Sequence, residues 1–463
     1  MENKTLLSHW LEILSEWQNA FLQRRTLHRA IRLAFGSLCS LGRRTMSRAI
    51  AAIGRDQQDW AADYKLFSRS DWSLTMIFRP ILEKSTLLID EEIIAFAFDD
   101  TKLHKTGRHI ESAFWQRDPM SPPFHVNLVW GLRFLQASIL VPLYRNSDLS
   151  TPPRAIPIQF TEVPAVKKPG KYATEEEKLV YKSAKRQNNL SISFVENLKT
   201  LRTELDKQNL TNKMILATVD GSFCNKTCFN ANIERTHIIA RTRKDTALYY
   251  REQNRGRRFY GEKFTPEMVR LNETIEWSKT AIFHGGEWRD VRYKEVNNVY
   301  WKNGTKKKEI RTIIIAPTPY RLSKKKKLYY RQPAYLLTTD TKTDAAILIQ
   351  KYFDRWQIEV NFREEKDLLG VGQAQIRSPK SVPRQPGFVV AAYSALLISS
   401  VLAYGDERKN CLIPLPKWRR NSRRPSILDL ITQLRREAFE NKWLKEVCDA
   451  DFSIFDAALR AAA

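Results

Sequence analysis

Residues 93–101 read IIAFAFDDT, a continuous apolar run that ends in two aspartates and a threonine. Such a run predicts a strand that is buried on both faces. A second run, MILATVDGS at 214–222, has the same form and ends around Asp220. A carboxylate at the end of a core strand must be paired or must hold a cation. Each aspartate could also be a turn residue or a helix cap, since Asp-Asp and Asp-Gly favour turns.

The stretch 343–369, TDAAILIQKYFDRWQIEVNFREEKDLL, predicts one long helix that carries a third carboxylate. On that helix Tyr352, Arg355, Glu359 and Lys366 fall within an arc of about 60°. We expect the opposite polar face to be solvated; it comprises Asp354, Gln357, Asn361, Glu364 and Glu365. A helix with two polar faces is not an ordinary surface helix, so one stripe should face something other than water. A surface pair of Arg355 with Glu359 would explain only two of the four residues.

The spacing Tyr352-x2-Arg355-x3-Glu359-x6-Lys366 resembles the Y–R–E–K signature of DDE insertion-sequence transposases. These are cut-and-paste enzymes with an RNase H-like core and a β-strand insertion. The resemblance extends to the two upstream strand ends and to the region between them and the helix, roughly residues 40–400. It implies a DNA transposase, which cuts at transposon ends and joins their 3′-OH ends to target DNA.

The resemblance also implies the metal ligands, namely Asp220, Glu359 and one of Asp99 or Asp100. Which of Asp99 and Asp100 is the metal ligand stays open, because Asp99 directly follows the strand whereas Asp100 directly precedes a threonine. Carboxylate oxygens suit Mg²⁺ or Mn²⁺, and two such ions can serve the attacking and the leaving oxygen of a phosphodiester. Arg355, Lys366 and Tyr352 are then expected to contact DNA phosphates.

Charge supports a DNA partner, because 77 Lys and Arg stand against 51 Asp and Glu, a formal charge of +26. A merely basic soluble protein is the plainer alternative. The five cysteines form no disulfide pattern, and zinc at Cys224, Cys228 and His237 is disfavoured because the motif lacks a second half. Without a signal peptide or an apolar run of eighteen residues, we expect a cytoplasmic protein at the prokaryotic nucleoid, with no membrane partner.

The alternation of strands and helices predicts a mixed α/β fold, an α+β arrangement in which helices cover a mixed sheet. We expect a helical DNA-binding region at 1–88, a core at 89–244 and 333–402, a β-rich basic insertion at 245–332, and a basic helical tail at 403–463. Within 1–88, a helix in the stretch 41–53 should present Arg43 and Arg44 to DNA. This helix could belong to a helix-turn-helix or to a plain helical bundle.

Smaller features are predicted from local patterns. Residues 125–143 suggest two strands around Gly131, 151–171 a loop rich in Pro and Lys, and 174–208 a charged helix. The insertion holds Trp277, Trp288 and Trp301 beside two runs of lysine. Related transposases are thought to place a displaced base on a Trp of this insertion. We select Trp301, since it precedes a turn-like Asn-Gly and should stand exposed, although any single Trp here is more often a core residue of a small β domain.

The expected partners are double-stranded DNA, as terminal inverted repeats and as target, and a second copy of the chain on DNA. Two rival functions remain. The same core could cut DNA without joining strands, or the chain could be an inactive transposase-derived regulator. An assay of strand transfer with 3′-OH ends distinguishes a transposase from a simple nuclease. An assay of metal-dependent DNA cleavage distinguishes it from an inactive regulator.

Overall fold

The structure, a computed structural model, describes residues 4–110, 112–118, 121–122, 124–143, 153–252, 259–285, 287–321, 326–405, 425–441 and 443. The region before the first strand is helical, as predicted. A 3₁₀ turn at Glu16–Asn19 follows its first helix. The helices are α1 Leu6–Ser15, α2 Arg24–Cys39, α3 Met46–Ala51, α4 Ala61–Ser68 and α5 Leu74–Thr86.

The next part of the chain supplies half of a large mixed sheet. Its strands are β1 Ile93–His104, β2 Phe114–Arg117, β3 Leu128–Pro142, β4 Pro153–Glu162, β5 Met214–Val219 and β6 Thr236–Arg241, and its helices are α6 Glu175–Gln187, α7 Leu190–Lys207 and α8 Lys226–Phe229. β1 is parallel to β5, and β5 to β6, whereas β3 runs antiparallel to both β1 and β4. This mixed sheet with its covering helices confirms the predicted RNase H-like core.

Four local predictions for this part are wrong. The single charged helix predicted at 174–208 is two helices, α6 and α7, because Asn189 adopts an extended backbone conformation and its side chain caps the second helix. The first strand does not end at the aspartates but continues to His104, because β3 pairs with it beyond the point where β5 ends. Residues 125–143 form one strand, and Gly131 lies so close to β1 that a Cβ there would stand 2.3 Å from the Leu103 carbonyl oxygen. Part of the predicted loop is the edge strand β4, where Pro153 begins the strand and Pro157 lies at a bulge, both tolerated positions.

The basic insertion is rich in strands, as predicted, but most of these strands continue the same sheet. Its elements are β7 Leu248–Arg251, β8 Tyr260–Phe264, α9 Pro266–Leu271, β9 Ser278–His284, β10 Glu287–Tyr300, β11 Glu309–Ile315, β12 Pro319–Tyr320 and β13 Tyr329–Tyr330, followed by β14 Ala334–Thr338. β14 pairs with β6 on one side and with β11 on the other, and β11 pairs with β10. The insertion therefore shares hydrogen bonds with the core sheet.

The predicted long helix at 343–369 is interrupted. It comprises α10 Ala345–Asp354, α11 Gln357–Arg363 and a π-helical turn, Glu364–Leu368. Between α10 and α11 the backbone stays helical, but the amides of Trp356, Ile358 and Glu359 bond to carbonyls three residues back instead of four. A tightened segment inside a helix and a π turn both occur often at functional sites.

Two helices complete the described fold, α12 Ser381–Tyr404 and α13 Ile427–Glu440. α12 is long and apolar enough to cross a membrane by length and composition, but 89% of its most apolar window is buried inside the protein. It is the central core helix, on which α1, α2, α5 and β4 pack. This packing favours the helical-bundle alternative for the N-terminal region. The basic loop within the predicted tail, 417–424, lies outside the described residues.

Candidate active site

Packing on the face of β1 decides which carboxylate meets the signature helix. Alternate residues of a strand point to the same face, so Ala95, Ala97 and Asp99 share one face of β1. Ile358 of α11 packs against the two alanines, whose small side chains let the helix approach the sheet closely. Asp99 is the next residue on that face and therefore points toward α11.

Arg355 joins the two carboxylates across this contact. Its guanidinium lies 3.4 Å from Asp99 Oδ2 and 3.2 Å from Glu359 Oε1. Although burial disfavours its charge, Tyr352 and the neighbouring carboxylates raise the pKa of Arg355. The ring of Tyr352 lies 5.9 Å from the guanidinium. Three of the four signature residues thus meet Asp99 in one place.

Asp220 completes the cluster from the end of β5. Burial, and then the charge of Asp220, raise the pKa of Asp99 to about 7. Burial also raises the pKa of Glu359, and Asp220 adds to that shift while Arg355 opposes it. Asp220 itself caps a short 3₁₀ turn, where its Oδ1 accepts hydrogen bonds from the backbone and hydroxyl of Ser222 at 2.9 and 2.6 Å. Three carboxylates from distant parts of the chain therefore repel one another around Arg355.

Asp100 has different surroundings. It lies on the opposite face of β1, where its Oδ2 accepts a 2.8 Å hydrogen bond from Nε of Arg133. Lys366 lies within electrostatic reach of both Asp100 and Asp99: burial lowers its pKa, and the two carboxylates oppose that shift. Neither Arg133 nor Arg241, whose charge reaches Tyr352, was predicted from sequence. Strand periodicity alone does not tell which basic residues will face an acid across a sheet.

The second polar face of the signature helix is not solvated, contrary to our expectation. Asp354, Asn361, Glu364 and Glu365 are all buried. Ser138 of β3 donates to Asn361 Oδ1 at 3.2 Å, and Asn361 Nδ2 donates to the hydroxyl of Tyr393 on α12 at 3.0 Å.

The same hydroxyl of Tyr393 donates to Glu364. Next to it, burial raises the pKa of Glu365 to about 8, despite a hydrogen bond from Gln136. Gln136 is the β3 residue directly opposite Asp99 in the sheet register. This buried polar network fixes α11 and its π turn between the sheet and α12.

Hard oxygen donors of this kind suit a divalent cation, and the raised carboxyl pKa values show that the cluster gains from added positive charge. Asp99, Asp220 and Glu359 are the carboxylates that could hold such an ion. Among the described residues, however, no three His, Cys, Asp or Glu side chains are grouped closely enough to enclose one as they stand. The guanidinium of Arg355 supplies the positive charge between two of them.

Cys228 is buried, whereas Cys224 and His237 are half-buried. Burial raises the pKa of Cys228 to about 12 and that of Cys224 to about 11. Nδ1 of His237 lies 3.0 Å from the carbonyl oxygen of Thr339.

The two predicted DNA contacts of the N-terminal region lie differently. Arg43 is exposed. Arg44 turns inward instead: its guanidinium donates to the carbonyl oxygen of Leu38 and to the hydroxyl of Ser40, and its backbone amide donates to Gln373. Arg44 therefore links the N-terminal helices to the loop that follows the signature helix.

The expectation that Trp301 stands exposed is wrong. Its indole is half-buried, packs edge-on against Phe229 at 5.7 Å between centroids, and lies directly beneath Gly304. Trp277 is also half-buried, and its ring lies near the cations of Arg292 and Lys294. Trp288 is the most exposed of the three, at 46%. The Asn-Gly turn that suggested exposure folds back over the ring instead.

Comparison with known families identifies the part of the chain that holds most of this site. Residues 194–394 match the family described as the transposase DDE domain. The match includes Asp220 and the whole Y–R–E–K signature, whereas Asp99 and the N-terminal helices precede it. A search of curated proteins found no match.

Proposed function

Because the chain belongs to the DDE transposases, we propose that it cuts DNA at transposon ends and joins the freed 3′-OH ends to target DNA. The observation that carries the proposal is the convergence of Asp99, Asp220 and Glu359 around Arg355. Three carboxylates in electrostatic contact are costly unless they serve to hold cations. A regulator that only binds DNA has no need of them.

Asp99, Asp220 and Glu359 would hold two divalent ions, Mg²⁺ or Mn²⁺. Bound there, the ions would activate the attacking oxygen and stabilise the leaving 3′ oxygen. Arg355 would turn from the carboxylates toward the scissile phosphate, where its planar fork can bind two oxygens. Lys366 would add a point charge beside it, and the Tyr352 hydroxyl would donate to a terminal phosphate oxygen. In the joining step, the same residues would hold the target phosphate.

The test compares wild type with Asp220→Ala and Glu359→Ala in cleavage of DNA that carries the element's ends. We expect both variants to lose cleavage and to keep DNA binding, because each removes a ligand and no phosphate contact. Cleavage near the wild-type level in either folded variant contradicts the proposal. Cleavage by wild type without joining of 3′-OH ends to target DNA identifies the simple nuclease, and binding without any cleavage identifies the regulator.

We further propose that the chain acts as a homodimer that bridges two transposon ends, in the cytoplasm at the nucleoid. The +26 charge favours a long polyanion as partner. Measuring the mass of the complex with and without end DNA tests the dimer, since the expected dimer forms on DNA.

A further inference from the structure

The first core strand continues past Asp99 and ends against the loop that follows the signature helix. Asp99 lies in the middle of β1, which runs on to His104. Directly after the strand, the backbone amide of Lys105 still donates to the carbonyl oxygen of Trp130 on β3, at 3.0 Å. The backbone of Lys105 is therefore fixed to the same sheet that carries Asp99.

The side chain of Lys105 is buried against backbone carbonyls. Only 7% of this residue is exposed, and burial lowers its pKa to about 8. Its Nζ donates to the carbonyl oxygens of Gly372 and Ala374, at 2.7 Å each. Burying an ammonium group costs free energy, which these hydrogen bonds offset. Both acceptors belong to one loop, so the buried charge of Lys105 serves to hold that loop.

The loop 370–375 packs directly on the end of β1. Gly372 has a φ of +99°, a conformation that favours glycine, and a Cβ there would stand 3.0 Å from Cβ of Leu103. Gln375 adds a second connection. Its Oε1 accepts hydrogen bonds from the backbone amides of the two residues that follow Lys105, at 3.0 and 3.4 Å. Lys105 and Gln375 thus bond the strand and the loop to each other in both directions.

The same loop is bonded to the π turn that carries Lys366. The backbone amide of Val371 donates to the carbonyl oxygen of Glu365, at 2.8 Å. Lys366, the next residue, lies within electrostatic reach of Asp99. The strand therefore places Asp99 on one side of this pair, and the loop fixes the turn on the other. Lys105 joins the two.

We propose that Lys105 is a positioning residue of the active site, which holds Lys366 beside Asp99 by bonding the loop 370–375 to the end of β1. Lys105 touches no substrate and acts through Lys366. A misplacement of about 1 Å far from the reacting atoms can cost about a hundredfold in rate. The inference rests on the proposed function in that Lys366 is taken as the phosphate contact.

The first test is a double-mutant cycle on cleavage of end DNA at saturating protein. It compares wild type with Lys105→Met, Lys366→Met and the double variant. We expect Lys105→Met to reduce the cleavage rate by about ten- to a hundredfold. The double variant should be no slower than Lys366→Met, because residues that act through one another do not add. Losses that multiply in the double variant overturn the inference.

Lys294→Met is the matched control for folding stability. Lys294 is also a buried lysine, at 2% exposure, and its Nζ donates to three backbone carbonyl oxygens at the end of α9, at 3.3, 3.2 and 2.6 Å. We expect Lys294→Met to lower the melting temperature and to keep the wild-type cleavage rate. An equal loss of cleavage in the two variants at equal melting temperatures overturns the inference. If Lys105→Met does not fold, Gln375→Ala, which leaves no buried charge unpaired, takes its place in the cycle with the same expected result.

Hydrogen exchange of the protein without DNA or metal gives a readout that does not depend on cleavage. Lys105→Met should speed amide exchange in residues 364–371, and Lys294→Met should not, because local exchange reports local opening. Unchanged exchange at 364–371 in Lys105→Met overturns the inference. If wild type cleaves no end DNA, the proposed function fails, and the exchange result still decides whether Lys105 fixes the π turn.

Discussion

The two aspartates at the end of the first core run differ in what they face. Asp99 points to Arg355 and Asp220, and Asp100 is held by Arg133 on the other side of the sheet. We therefore predict that Asp99→Asn reduces DNA cleavage to background, because a neutral amide cannot replace a carboxylate ligand. Asp100→Asn should cost less than about tenfold, or about 1.4 kcal/mol in the barrier. Cleavage assays in Mg²⁺ and in Mn²⁺ measure both, and the reverse order of effects would reassign the ligand.

Trp301 and Trp288 of the insertion also differ in their surroundings, so their substitutions should have different effects on stability. Trp301 packs under Gly304 and against Phe229, so Trp301→Ala should lower the free energy of unfolding by about 3 kcal/mol, the low end of the range for buried aromatic residues, because the indole is half-buried. Trp288 is half-exposed, and Trp288→Ala should change stability by less than about 1 kcal/mol.

A fluorescent base analogue next to the cleavage site then reports which Trp accepts a displaced base. We expect the signal to be lost in Trp288→Ala and kept in a folded Trp301→Ala, because only an accessible ring can stack on a base. A signal that is lost only in Trp301→Ala would restore the choice made from sequence.

At the scale of elements, the buried polar network holds the signature helix. The Tyr393 hydroxyl is shared between Asn361 of α11 and Glu364 of the π turn. Tyr393→Phe leaves both groups buried with a partner missing, so we predict a loss of about 1–3 kcal/mol in unfolding free energy. The control is Ser399→Ala, whose hydroxyl donates to the Ala395 carbonyl of its own helix. Equal losses in the two variants would show that the network adds nothing to stability.

The π turn also carries a carboxyl that keeps its proton. The pKa of Glu365 is about 8 in the folded chain and about 4.3 when unfolded. The folded state therefore binds this proton more tightly, and stability falls as pH rises between these two values. Glu365→Gln has no proton to lose, so its stability relative to wild type should rise by about 1.4 kcal/mol per pH unit in that window. Denaturant unfolding at several pH values measures this, and an equal pH dependence of stability in Glu365→Gln and wild type would contradict it.

At the scale of the whole molecule, continuous apolar runs could be predicted well from sequence. The strand 214–219 matches the structure, because such a run has few alternatives to a buried strand. The tightened segment before α11 could not be predicted, since no Pro or Gly marks it. Nor could the burial of Glu364 and Glu365 be predicted. Periodicity shows that a helix face is polar, but Tyr393, which donates to Glu364, and Gln136, which donates to Glu365, come from distant elements. The Y–R–E–K signature was recognised from residue identity and spacing. The side chains of Tyr352, Arg355 and Glu359 lie together although the helix is interrupted between α10 and α11.

The position of strand β11 in the sheet limits how this protein can be engineered. It lies between β14 and β10 in one hydrogen-bonded sheet, so the region that separates Asp220 from the signature helix is not a detachable cassette. Deleting this region would make β14 an edge strand with unpaired backbone N–H and C=O groups, which could then pair with strands of other chains. A chimera that borrows this region from a relative must therefore bring along a strand whose register fits Ala334–Thr338. Graft points are better chosen in the hairpin formed by β9 and β10, beyond the shared strands.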